Sequence, residues 1–103
     1  MYKYFLEIDI SKDGFDFCFT DESEKVLYQD HYQMSMDDFT KLLDYLTPFS
    51  QNELLIVMEA IGIYHLNLLS YLLEEGFNVS VVNPMFIYAY TKSLSISMNK
   101  NRC

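Results

Sequence analysis

Two acidic residues stand where chemistry is most readily built. Asp9 lies near the end of the first alternating stretch, Tyr2 to Ile10, on the side opposite its apolar stripe. Glu59 follows directly on the unbroken apolar run Leu54 to Met58. If both segments are parallel neighbouring strands, their ends coincide and the carboxylates meet across one strand spacing, ~4.8 Å. In open α/β sheets that edge is where ligands bind. Converging carboxylates repel unless a proton or a cation lies between them. A hard divalent ion such as Mg²⁺ (or Mn²⁺) takes one or two protein carboxylates together with water and phosphate oxygens. Paired ions about 3.5–4 Å apart activate a nucleophile and stabilise the leaving oxygen in phosphodiester chemistry. The same positions also suit plainer duties, with Asp9 opening an Asx-type turn and Glu59 capping or facing water.

The residues after Glu59 read Ala60-Ile61-Gly62-Ile63-Tyr64-His65. Gly62 would let backbone approach closely at a strand-to-helix turn, and Tyr64 would start the helix with its polar tip at the same edge. The plainer readings are a turn glycine and, favoured for Tyr64, a core aromatic. Lys12, Lys92 and Lys100 are candidates for phosphate contact, although isolated lysines also serve simply as solvated surface. His31 and His65 have no cysteine or second histidine at ligand spacing, so a zinc site is not expected. Cys18 reads as a small core-lining residue rather than a nucleophile. Phe86, Tyr88 and Tyr90 could stack on bases, or form a packing face.

The elements that must position Asp9 and Glu59 follow from periodicity. Tyr2, Tyr4, Leu6, Ile8 and Ile10 share one face, which is the period of a strand. Ser11-Lys12-Asp13-Gly14 makes a hairpin turn with Gly14 free to take positive φ. Phe15, Phe17 and Phe19 alternate in a second strand, and Val26 to Tyr32 forms a third, giving an antiparallel meander. Ser35 with Asp38 resembles a capping box, after which Phe39, Leu42, Leu43 and Leu46 keep helical spacing until Pro48. Leu54 to Met58 reads as a strand buried on both faces. Tyr64 to Glu75 reads as a helix with a stripe of Leu66, Leu69, Leu72 and Leu73, stopped by Gly76. Val79 to Val82 is a fifth strand, and Asn83-Pro84 opens a last helix running to about Leu94. The later strands are joined by helical crossovers and should therefore be parallel and right-handed. The expected fold is a mixed five-stranded α/β sheet with helices on both faces. This order suits the RNase H-like fold and one half of an actin-like ATPase. Residues 1–94 form the domain, and 95–103 an irregular tail.

Composition bounds the rest. A chain of 103 residues, half hydrophobic and 17% aromatic, has ample apolar surface for one small domain. That excludes a disordered or low-complexity class. The two cysteines, Cys18 and Cys103, make neither a disulfide framework nor a CxxC knuckle, which points to a reducing cytoplasm. Apolar runs fall far short of the ~18 residues of a membrane span, and no signal peptide precedes the first strand. The net charge of -8 argues against a nucleic-acid binder, yet it is uneven. Twelve of fifteen carboxylates lie between Glu7 and Glu53, whereas residues after Gly76 carry none and include Lys92, Lys100 and Arg102. An acidic body with a basic end is compatible with a metal-dependent nucleic-acid enzyme lacking its basic parts.

Four blocks of the chain together carry a family resemblance. Ile8-Asp9-Ile10-Ser11-Lys12, with Phe15-Asp16 following, resembles the opening of the DEDD-type transposases of the 110 family of insertion sequences. Val57-Met58-Glu59-Ala60-Ile61-Gly62-Ile63-Tyr64-His65 is similar to the family's Glu-Ala/Ser-Thr-Gly-x-Tyr block. Val81-Val82-Asn83-Pro84 and Thr91-Lys92-Ser93-Leu94 resemble a third and the start of a fourth, in the family's order. The resemblance implies an N-terminal RNase H-like domain akin to the RuvC Holliday-junction resolvase, with four acidic metal ligands. Asp9 matches the first and Glu59 the second. The family's Lys-Thr-Asp-x-x-Asp motif would supply the other two. Here the chain reads Lys100-Asn101-Arg102-Cys103, so Arg102 stands at the third position and the fourth is missing. The family's C-terminal domain, with its nucleophilic serine and RNA-guided DNA recognition, is not in this sequence. Weak Mg²⁺ binding and no activity of the chain alone are therefore expected.

Three functions follow as expectations. The first is the metal-site half of a DNA transposase, with DNA and a guide RNA as partners in the intact protein and self-association into a homo-oligomer. The second is a non-catalytic interaction module that dimerises with a transposase. The third, an actin-like nucleotide-binding half-domain, is weakened because Ser11-Lys12-Asp13-Gly14 is not a glycine-rich phosphate loop.

Overall fold

The computed structural model describes residues 1–59 and 62–82. Strands β1 (Tyr4–Ile10), β2 (Gly14–Asp21) and β3 (Val26–Gln33) form the antiparallel meander, while β4 (Leu54–Glu59) and β5 (Asn78–Val82) run parallel to β1. The sheet order is β3-β2-β1-β4-β5. Helix α1 (Met36–Leu46) crosses from β3 to β4, and α2 (Leu66–Glu74) from β4 to β5. The stretch expected as a third helix, 84–94, and the tail 95–103 lie outside the described residues.

Local chemistry sets the element ends. The Ser35 hydroxyl accepts the Asp38 amide at 3.2 Å, as a helix N-cap does. The Asp38 carboxylate does not close the reciprocal box. It reaches further back and accepts the Gln33 amide at 2.6 Å, tying α1 to the end of β3. At the end of α2 the Gly76 amide donates to Leu73 O and the Phe77 amide to Leu72 O, the paired bonds of a Schellman cap. Gly14 does not take the positive φ expected of it. A Cβ there would collide with the Tyr32 carbonyl of β3, so glycine serves close strand approach instead.

Alternation along the strands sends two chemically different sets to the two faces. One face gathers Leu6, Ile8, Ile10, Phe15, Phe17, Phe19, Ile56 and Met58 into the core with Phe39, Leu42 and Leu46 of α1 and Leu68 and Leu72 of α2. Each fully buried aliphatic or aromatic side chain there contributes roughly 1.5–3 kcal/mol. Aromatic rings interlock within it: Tyr4 stacks on Phe19 at 5.7 Å, and Phe49 meets both at 4.9 and 4.8 Å.

The burial of β4, the stripe of α2 and the start of α2 differ from expectation. The third expected helix falls outside the described residues, and both described helices lie on one face, where Phe39 of α1 and Tyr71 of α2 are 5.5 Å apart. Handedness explains this, because both crossovers step the same way across the sheet and a right-handed step in one direction uses one side. β4 is fully buried only through Leu54, Ile56 and Met58, while Leu55 and Val57 on the other side are half-buried. In α2, Leu68 and Leu72 face the core, whereas Leu66 and Leu73 are 50% and 52% exposed. The helix also begins two residues later than expected, so Tyr64 and His65 fall in the preceding turn.

Candidate functional site

The parallel pairing of β1 with β4 brings the two chemically suggestive carboxylates together. Tyr4 pairs with Leu54, and counting along the register sets Asp9 directly beside Glu59. The core takes Ile8, Ile10 and Met58, so period 2 turns Asp9 and Glu59 to the opposite face, at the C-terminal rim.

The row extends across the sheet. The hairpin turn, closed by Ser11 N–H to Gly14 O at 2.8 Å, fixes the antiparallel register so that Asp16 of β2 sits opposite Asp9. His31 of β3 sits opposite Asp16, with its Nδ1 2.8 Å from Asp16 Oδ1. On the far side Val82 of β5 pairs with Glu59. His31, Asp16, Asp9, Glu59 and Val82 therefore form one continuous line over five strands.

Electrostatics at the rim follows from this crowding. Partial desolvation raises Asp9 above the usual carboxyl range, and the charge of Asp16 adds to it. Desolvation likewise raises Glu59, with the Asp9 charge as the second cause. The Asp16 charge thus makes Asp9, and the Asp9 charge Glu59, harder to ionise, and a cation at the rim would relieve both. The rim opens into a groove of about 930 Å³ floored by the sheet. Eight carboxylates line it, while no lysine or arginine among the described residues does.

Sequence reasoning placed Asp9 and Glu59 correctly as neighbours. Lys12 lies exposed in the β1–β2 turn, which leaves β1 at this same rim. Lys92 and Lys100 fall outside the described residues. Gly62 has φ +61 and open space around it, so the strand-to-helix turn needs its left-handed backbone rather than a close approach. Tyr64 is exposed in that turn. Asp16 and His31 were passed over as site residues, although a four-residue turn from Ser11 to Gly14 already implies that Asp9 faces Asp16. Among the described residues no three His, Cys, Asp or Glu side chains converge into a group able to hold a metal by themselves. No helix among them is long and apolar enough to cross a membrane.

Comparisons with known proteins agree with this frame. The DEDD transposase family of the IS110 type, described as a transposase, matches residues 7–101. The pilin gene-inverting proteins of Moraxella lacunata and Moraxella bovis are each 31% identical over 98 residues, covering 93% of this chain. The chain spans 30% of the length of these relatives. Among solved structures, T. thermophilus RuvC in complex with a Holliday junction substrate aligns over 98% of this chain and 78% of its own, with a TM-score of 0.65 and 15% identity. A Bacteroides thetaiotaomicron protein with an actin-like ATPase fold aligns over 78% of this chain and 32% of its own, with a TM-score of 0.62 and 14% identity. The structural likenesses establish an RNase H-like fold. The family match establishes that the chain belongs to the DEDD transposases of the IS110 type.

Proposed function

We propose that this transposase-family chain is the RNase H-like N-terminal part of an enzyme of DNA transposition and recombination, working in the cytoplasm by divalent-metal-dependent phosphodiester chemistry. The observation that carries the reading is the register of β1 on β4, which sets Asp9 beside Glu59 at the carboxyl rim of a parallel strand pair.

The donor set fits a hard cation. Both groups offer oxygen, they are adjacent, and the Asp9 charge makes Glu59 harder to ionise. Asp9 and Glu59 would hold Mg²⁺ or Mn²⁺, which when bound polarises a phosphodiester oxygen and acidifies an attacking water. The chain itself supplies rigid placement: the strands that carry the carboxylates are pinned by the core beneath them. Asp16, held by His31, adds negative charge beside Asp9 and strengthens the pull on a cation. Lys12 at the rim and Lys92 and Lys100 further on are assigned to phosphate contact. Two carboxylates are half of the family's set, and Arg102 occupies the position of a third. The chain alone is therefore proposed to bind metal weakly and to be inactive, with DNA, a guide RNA and further copies as partners of the longer protein.

The test is thermal unfolding with Mg²⁺ or Mn²⁺. At ~10 mM metal and a Kd near ~1 mM, binding adds about 1.4 kcal/mol, raising Tm by roughly 5–10 °C. Asp9→Ala and Glu59→Gln should abolish the rise. An unchanged wild-type Tm at that concentration ends the metal reading. One observation favours the second function, an interaction module: Ile63, Leu66 and Leu73 are large, apolar and exposed. Self-association abolished by Leu66→Asp, in a protein indifferent to metal, would establish that alternative.

A further inference from the structure

The two edges of the sheet are finished differently. At the β3 edge, Asp30 Oδ1 accepts the His31 amide at 2.7 Å and Asp38 Oδ2 accepts the Gln33 amide at 2.6 Å. Carboxylates thus occupy backbone donors that an incoming strand would need, a common protection of exposed edges. On the other side β5 ends the sheet, with no strand beyond it among the described residues. Its sequence, Asn-Val-Ser-Val-Val, holds no charge, proline or glycine, so nothing in it opposes strand addition.

The helix beside that edge is bare on the same side. Phe39 and Tyr45 of α1 pack on Phe15 and Phe19 of β2, whereas α2 leads from β4 to β5. Tyr71 of α2 meets Phe39 of α1, so at about 100° per residue Leu66, Leu69 and Leu73 lie on the opposite flank, toward the β5 edge. Among the described residues eight large apolar side chains are exposed, and five of them (Ile63, Tyr64, Leu66, Leu73 and Val81) fall within residues 63–81. Alternation puts Val81 on the helix-bearing side of β5, with Val79, which packs against the core. From Gly62 to Val82 the only Asp, Glu, Lys or Arg are Glu74 and Glu75, in a chain of net charge -8. Two copies of so acidic a chain repel each other least at this edge. It offers no cation to nucleic acid and no carboxylate cluster to a basic protein. A bare strand beside an apolar helix flank is matched by another copy of itself.

We infer that two copies of this chain join by antiparallel pairing of their β5 strands, with their α2 flanks packed together on one face of the continuous sheet. Full overlap of the strands centres the two-fold axis on Ser80 and sets Val79 of each copy opposite Val81 of the other. An axis perpendicular to the sheet keeps both α2 helices on the same side, with Leu66 of one copy near Leu73 of the other. The same axis sends Glu74 and Glu75 of the two copies to opposite ends, so these like charges do not face each other. The acidic faces become one surface, and the two Asp9–Glu59 rims lie five strand intervals, ~24 Å, apart across the strands. The inference gives a surface to the self-association contained in the proposed function, and it rests on no metal binding.

Sedimentation equilibrium of the full chain, from micromolar to sub-millimolar concentration, tests it together with amide exchange. The wild type should pass from monomer to dimer. Val81→Lys and Leu73→Lys, both at exposed positions, should each weaken the dimer about tenfold or more, because charge at an edge opposes pairing. An unchanged Tm of the dilute variants shows that the fold is kept. Amide exchange in β5 should slow severalfold as concentration rises, while the His31 and Gln33 amides of the other edge keep their rates. Mixed ¹³C-labelled and unlabelled chains should give isotope-filtered NOEs between Val79 and Val81 of different copies. A wild type that stays monomeric throughout would overturn the inference. So would a dimer indifferent to Val81→Lys, or one whose β5 amides exchange alike at every concentration; in both cases self-association stands and its proposed surface is wrong. Loss of the Mn²⁺ response with β5 pairing intact would instead remove the metal reading alone.

Discussion

The two faces of this sheet are made by the same strands, yet they obey opposite rules. On β1, Leu6, Ile8 and Ile10 are buried among aromatic rings, while one residue away Glu7 and Asp9 turn to the opposite, acidic face. The first face is held by packing and tolerates no loss of volume. The second is held only because the first fixes its backbone. The contrast teaches that a carboxylate rim can be placed by the core beneath it, with the His31–Asp16 contact the rim's own contribution.

The comparison can be broken most forcefully from the apolar side. Phe19 is fully buried between Tyr4, Tyr45 and Phe49. Phe19→Ala should cost about 3–5 kcal/mol in urea unfolding. A loss below ~1 kcal/mol would show that the aromatic face is not what holds the sheet. Gly14→Ala should cost less, about 1–3 kcal/mol, because its Cβ would push β3 away from β2 at the Tyr32 carbonyl. It should also loosen the His31–Asp16 contact, seen as a shift of the His31 ring resonances in NMR.

The acidic face should respond in the opposite sense. Asp9 and Glu59 have folded pKa values raised above their unfolded values, so folding disfavours their ionised forms. Both are protonated below the unfolded range near ~4, where no penalty exists. Stability is then lost as pH rises through the raised folded values. Asp9→Asn should accordingly match the wild type in acid and exceed it at neutral pH without divalent metal. The gain should stay under about 1 kcal/mol, as expected for half-exposed, screened charges. Parallel pH–Tm curves for the two proteins would remove the claim that folding disfavours the ionised form of Asp9.

Much of the architecture was legible because strand and helix periods leave separate marks. Tyr2 to Ile10, the three alternating phenylalanines of β2 and the run Leu54 to Met58 identified their strands, and Ser35 and Gly76 marked helix ends. The misreadings share one cause. Leu55 and Val57 are apolar and read as buried, and Leu66 and Leu73 read as core-facing, yet an apolar side chain states only its capacity for burial. What covers it depends on where the crossover lands. Gly14 was read as a turn residue because the strand that crowds it, β3, lies seventeen or more residues further on at Tyr32 and His31.

The candidate site divides in the same way. The sequence alone determined that Asp9 and Glu59 end strands, that Phe15, Phe17 and Phe19 share a face, and that negative charge concentrates before residue 83, since these are local or compositional properties. Only the tertiary structure decided that β4 lies against β1 rather than at an edge, that Asp16 and His31 continue the rim, and that both described helices lie on the face opposite the acidic rim. Strand order and the choice of face are set by long-range packing and by the hand of the crossovers, and a local period carries no information about either.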